Sequence, residues 1–140
     1  MIDLETIRLW VDELGYRVDV EDATTLRIRV REGFTELPPF FIQYTGSWVV
    51  LSMLEVLSED AVLFEELPLR LLEANREMRL AKFAFGEGDK VLLCAELPTE
   101  SLDRSELSDA VDRLIEYAAT YRRALLGVLG VLGRPSITSG

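Results

Sequence analysis

Carboxylates are the reactive groups this chain has in quantity. Twenty-five of its side chains are acidic, and three clusters bring them close together: Glu59-Asp60, Glu65-Glu66, and Asp109 with Asp112 and Glu116. Paired carboxylates are the apparatus of glycoside hydrolysis, so residue type alone admits a hydrolase. Spacing argues against it. Asp112 and Glu116 stand one helical turn apart, on the side away from the apolar stripe, where an amphipathic element carries its solvated residues. The clusters are expected to be solubilising faces.

The other reactive groups are few. Cys94 is the one thiol; inside the apolar run Val91–Ala95 it is expected to be a small buried hydrophobe. A lone cysteine excludes an internal disulfide and a thiolate zinc site within one chain, and it fits a reducing compartment. There is no histidine. This removes the commonest metal ligand and the side chain most used for acid–base work near neutral pH. Neither a Ser-His-Asp nor a Cys-His arrangement can be built, and Gly86-Glu87-Gly88 is too short and too acidic to cradle phosphate. The expectation is no catalytic residue, no metal site, no cofactor and no enzyme.

Net charge is −10, from 15 basic and 25 acidic side chains, which repels phosphate backbones and argues against nucleic acid as a partner. Arg27, Arg29 and Arg31 form one basic stripe at strand spacing, expected to be a solvated face paired with nearby acids. No run approaches the roughly 20 apolar residues that span a bilayer. The start, Met1-Ile2-Asp3-Leu4-Glu5, lacks the basic and apolar regions of a signal peptide. A cytoplasmic protein without a membrane partner is expected.

The elements that position these groups follow from periodicity. Leu4, Ile7, Val11 and Leu14 recur at helical steps, with Asp3 placed to cap and Gly15 placed to stop. Tyr16, Val18 and Val20 then alternate with polar residues, as do Leu26, Ile28 and Val30, which predicts two strands. Gly33–Pro39 is expected to be a loop. Phe40–Tyr44 and Trp48–Leu54 predict a hairpin turning at Gly46, and their nearly continuous apolar character predicts cover on both faces, by a helix or by a partner. A helical stretch should open at Ser58-Glu59-Asp60 and a second at Pro68, over Leu69–Met78. Ala81–Phe85 and Val91–Ala95 predict another hairpin, with the sheet ending at Leu97-Pro98. Asp103, with Glu106 three residues on, should cap a long helix carrying Leu107, Ala110, Val111, Leu114, Ile115, Ala118, Tyr121 and Leu125. The order is α-β-β-β-α-β-β-α: an α+β domain with an antiparallel sheet of about five strands and helices packed on it. Residues 1–126 should form the one domain, with 127–140 a flexible or loosely helical tail.

The run Leu71-Leu72-Glu73-Ala74-Asn75, then Ala81-Lys82-Phe83-Ala84-Phe85, then Val91-Leu92-Leu93-Cys94-Ala95-Glu96-Leu97-Pro98, resembles the YbjN family of bacterial proteins. The resemblance covers residues 67–125 by motif and the first half by element order. It implies a fold similar to the type III secretion chaperones, and therefore a small homodimeric module that binds protein segments. It also implies an alternative, a regulator of stress or sensory responses that binds a small molecule or a signalling protein.

The residues themselves point the same way. Phe40–Ile42 and Trp48–Leu51 offer more apolar surface than one layer of helices can cover, and surplus apolar patches mark interaction sites. The expected function is a homodimeric, chaperone-like module holding a client polypeptide. Phe41, Trp48, Val50, Leu69, Leu72 and Met78 are the candidate dimer or client contacts. For the small-molecule alternative, Trp10, Tyr44, Trp48 and Phe64 are the aromatics that would line a pocket.

Overall fold

The computed structural model describes residues 2–32, 35–57 and 65–132. Helix α1, Leu4–Glu13, begins where sequence placed its cap: the Asp3 side chain accepts from Thr6 N at 2.9 Å. A hydrogen bond from the Thr6 hydroxyl (2.7 Å), and after it that backbone contact, hold the Asp3 carboxyl below the usual carboxylate range. The chain leaves the helix through Gly15, whose φ of +97° only glycine adopts without strain.

Six strands follow in one antiparallel sheet: β1 Arg17–Asp22, β2 Thr25–Arg29, β5 Phe40–Tyr44, β6 Trp48–Met53, β7 Ala81–Phe85 and β8 Val91–Pro98, in the spatial order β1-β2-β5-β6-β8-β7. The count exceeds the expected five because all four strands of the first half join the sheet that the second half completes. Two further short strands, β3 Arg31–Glu32 and β4 Thr35–Glu36, pair with each other, so part of the stretch expected as loop is a two-residue ladder. The sheet also runs through Leu97 and Pro98, which pair with Val49 and Trp48. Proline is tolerated there because β7 pairs with β8 only as far as Ala95, so at Pro98 the strand has a neighbour on one side alone and behaves as an edge.

Helix α2, Leu67–Glu77, carries Pro68 in its first turn, and α3, Arg104–Leu132, is capped by Asp103, whose carboxylate accepts from Glu106 N at 2.8 Å. The helix continues through 127–132. The expected helical start at Ser58 lies outside the described residues, as does the rest of the tail.

Register decides which residues are core. Leu26 stands opposite Ile42 and Ile42 opposite Leu51; Leu51 faces Ala95, and Ala95 faces Ala81. A second row runs from Ile28 through Phe40, Met53 and Leu93 to Phe83. Nearly all of these are fully enclosed, and they form one cluster with Ile7 and Val11 of α1, Leu67, Leu71 and Ala74 of α2, and Leu107, Ala110, Val111, Leu114 and Ala118 of α3. The helices thus bury a single face of the sheet.

Candidate interaction surface

Strand alternation sends every second residue to the other face. The pairs Arg27–Phe41, Phe41–Ser52, Ser52–Cys94 and Cys94–Lys82 form one row across that face, and Gln43, Val50 and Glu96 form the next. Trp48 with Pro98, and Leu92 with Ala84, extend it toward the two strand ends. Phe41, Val50, Leu92 and Ala84 are half-buried, Trp48 is 45% exposed, and none of the five belongs to the core cluster or packs against it. Among the described residues no helix covers this face.

Cys94 lies at its centre, shielded by the strands beside it. Burial pushes its thiol up from the ordinary range, because the thiolate would lose water without a full replacement. Such a thiol is a poor nucleophile.

One flank of the face is cationic. Arg17, Arg27 and Arg29 lie on β1 and β2, with Asp19 between them. Asp19 is 3.9 Å from Arg17 and 3.8 Å from Arg29, and Arg27 reaches Glu21 at 4.0 Å. Of the stripe expected from Arg27, Arg29 and Arg31, the first two lie here and pair with acids; Arg31 falls on β3, in the separate two-stranded ladder, and Arg17 joins the other two instead.

The sheet's two edges differ. On β7, Phe83 points its backbone N–H and C=O outward, and the Asn75 side chain of α2 meets both. Phe83 N donates to Asn75 Oδ1 at 2.7 Å, and Asn75 Nδ2 donates to Phe83 O at 3.1 Å. This edge is closed by an amide that mimics a strand. On β1, no backbone hydrogen bond other than those to β2 is made among the described residues, and Val20 is 61% exposed.

The six candidate contacts separate into three groups. Phe41, Val50 and Trp48 come together on the open face. Leu69 (59% exposed) and Leu72 (67% exposed) share the outer side of α2, which lies along β7. Met78 is in neither place: it is 8% exposed and belongs to the core cluster, since it turns inward with Leu71 and Ala74. The four aromatics considered for a pocket do not converge. Tyr44 faces the helices and donates to Ile2 O at 2.9 Å, Trp10 packs on the core from α1, Trp48 is on the opposite face, and Phe64 lies outside the described residues. Asp109, Asp112 and Glu116 are exposed, Arg113 sits 3.2 Å from Asp109, and no group of metal-binding side chains occurs among the described residues. No helix among the described residues is long and apolar enough to cross a membrane.

Sequence periodicity did not single out Asn75, Leu92 or Arg17. A polar amide on the inner side of a helix, just before a strand, was the available signal for Asn75, because a buried amide needs partners.

A family model described as "Putative bacterial sensory transduction regulator", YbjN, matches residues 3–127. The chain belongs to the YbjN family. The match takes in the first two hairpins as well as the second half of the chain. No curated protein matches. Among solved structures, YbjN from E. coli is 17% identical at a TM-score of 0.66, covering 88% of this chain and 91% of that one. The heterodimeric ExoU–SpcU complex of the type III secretion system of Pseudomonas aeruginosa matches at 23% identity and a TM-score of 0.59, over 86% and 93%. The Yersinia pestis type III secretion chaperone SycH, solved with a stable fragment of YscM2, matches at 15% and 0.53, over 81% and 93%. This YbjN-family chain therefore has the α+β fold of the type III secretion chaperones.

Proposed function

We propose that this YbjN-family protein is a non-enzymatic, cytoplasmic protein-binding module that works as a homodimer and holds a segment of a client polypeptide. The observation that carries the reading is the open sheet face, where Phe41, Val50, Trp48 and Leu92 gather outside the core. Apolar side chains grouped on one uncovered face gain free energy when a partner removes them from water. The β1 edge, which has no outer partner among the described residues, offers a second mode of contact, main-chain pairing with an extended strand. The solved relatives support the reading by fold, two of them as complexes with another protein.

For the dimer, Leu69 and Leu72 on α2 are the surface of choice, because a two-fold axis would set each leucine pair against its copy. The family's description as a sensory transduction regulator fits a protein that regulates by contact.

Light scattering on the purified chain tests the dimer: a mass near twice 15.9 kDa is expected, and Leu72→Glu should return it to the monomer with its circular dichroism unchanged. A monomeric wild type at high concentration removes the homodimer. Affinity capture from native cytoplasm with wild type and with Phe41→Ser/Val50→Ser tests the client face. Proteins held by the first and lost by the second are expected, and equal capture by both would dismiss the open face as the binding surface.

A further inference from the structure

We propose that the open sheet face selects a client segment in which carboxylates adjoin bulky apolar residues: the acids dock on the arginine flank and the apolar side chains on the Phe41–Val50–Leu92 strip. This rests on the protein-binding reading above and adds the chemistry of the partner.

The argument begins with charge. The chain is strongly acidic, yet the open face is not. Arg17, Arg27, Arg29 and Lys82 lie on it, against Asp19 and Glu96, with Glu21 reaching in from the β1 bulge. Two guanidiniums share the one Asp19 carboxylate, at 3.8 and 3.9 Å. These separations exceed those of a hydrogen-bonded ion pair, so the guanidinium donors remain available for closer acceptors. Arg27 adds a second observation: its Nε is buried and has no hydrogen-bond partner among the described residues. That atom is closed to solvent, so what a client carboxylate can meet on Arg27 is the exposed end of the guanidinium, whose ion pair with Glu21 is a loose 4.0 Å.

Arg27 stands directly opposite Phe41. Neighbouring strands are about 4.8 Å apart, so a carboxylate on Arg27 lies within two or three residues of an apolar side chain on Phe41 and Val50. The excess of acid elsewhere on the molecule turns the same segment away from the helical side, which gives the choice of face as well as of ligand.

Trp48 reports the binding. The full chain is titrated by fluorescence and calorimetry with three synthetic peptides of about ten residues: a glutamate block joined to a leucine–valine block, its glutamine counterpart and its lysine counterpart. The glutamate peptide should bind about tenfold tighter than the glutamine one, with the difference shrinking at high salt. Arg27→Gln/Arg29→Gln should abolish that difference while leaving the melting temperature close to wild type, and Phe41→Ser/Val50→Ser should weaken the glutamate and glutamine peptides alike. Equal binding of the glutamate and glutamine peptides, or a preference that survives loss of both arginines, overturns the acid selection and leaves a protein-binding module standing. No peptide bound, with Phe41→Ser/Val50→Ser halving the mass of a dimeric wild type, assigns the face to a second copy and overturns the proposal. Failure of every peptide together with a monomer that captures no protein would remove the broader reading too.

Discussion

Leu51 and Val50 are neighbours on β6, and the pleat sends them to opposite sides of the sheet. Leu51 is fully enclosed between Ile42, Ala95 and the helices; Val50 is half-buried between Gln43 and Glu96, with nothing packed above it among the described residues. Both are aliphatic strand-formers, and the difference in role comes only from which face the helices cover. Among the described residues, one side of the six-stranded sheet is covered by helices and holds the core, while the other carries no such cover.

The largest test of this contrast substitutes the two neighbours in turn. Leu51→Ala should cost about 2–5 kcal/mol, through lost burial and the cavity left among core side chains. Val50→Ala should cost under about 1 kcal/mol, because it is only partly buried and nothing packs above it among the described residues, so no cavity is left. Urea unfolding of both variants measures this, and equal losses would mean that the open face is also core.

A smaller effect is expected at the edge. Asn75→Ala leaves the outward Phe83 N–H and C=O without their partners, at about 1–3 kcal/mol, and exposes a strand edge to pairing with other chains. Thermal melting and hydrogen exchange at Phe83 would show it, together with more aggregation than wild type. β1, whose outer edge makes no backbone hydrogen bond among the described residues, should exchange quickly in both proteins.

The smallest effect concerns Cys94. Its folded thiol is raised above the ordinary value by burial, so the neutral form is favoured in the native state. Stability is then unaffected below the ordinary thiol range and declines as pH rises through it toward the folded value. Reaction with a thiol reagent at mildly alkaline pH should be slower than for unfolded chain, and slower again with a peptide on the open face. A rate matching the unfolded thiol would place Cys94 in water.

How much of this was legible varies along the chain. Where apolar and polar residues alternate strictly, as from Leu26 to Val30, the inner face was plain, and so were the caps at Asp3 and Asp103, because each rests on contacts a few residues apart. Phe40–Tyr44 and Trp48–Met53 are apolar on both sides, so pattern alone left open which of Phe40 and Phe41 was core. Met78 stands four residues past Ala74 on the buried repeat of Leu67, Leu71 and Ala74, so its inward place was legible in the spacing, whereas Leu69 and Leu72 lie off that repeat. Tyr44 and Trp48 looked like partners in one pocket; a turn of three residues puts them on opposite faces.

By itself the sequence determined the chemistry and the parts. It has no histidine and one thiol, carries a large excess of carboxylate on helix surfaces, and sets out helices and strands whose lengths and ends follow from local periodicity and capping. Only the tertiary structure decided the sides. Cross-strand register and the packing of the described helices on a single face are set by contacts between residues far apart in the chain, and these turned a nearly uniform apolar hairpin into one wall of core and one face without helical cover among the described residues.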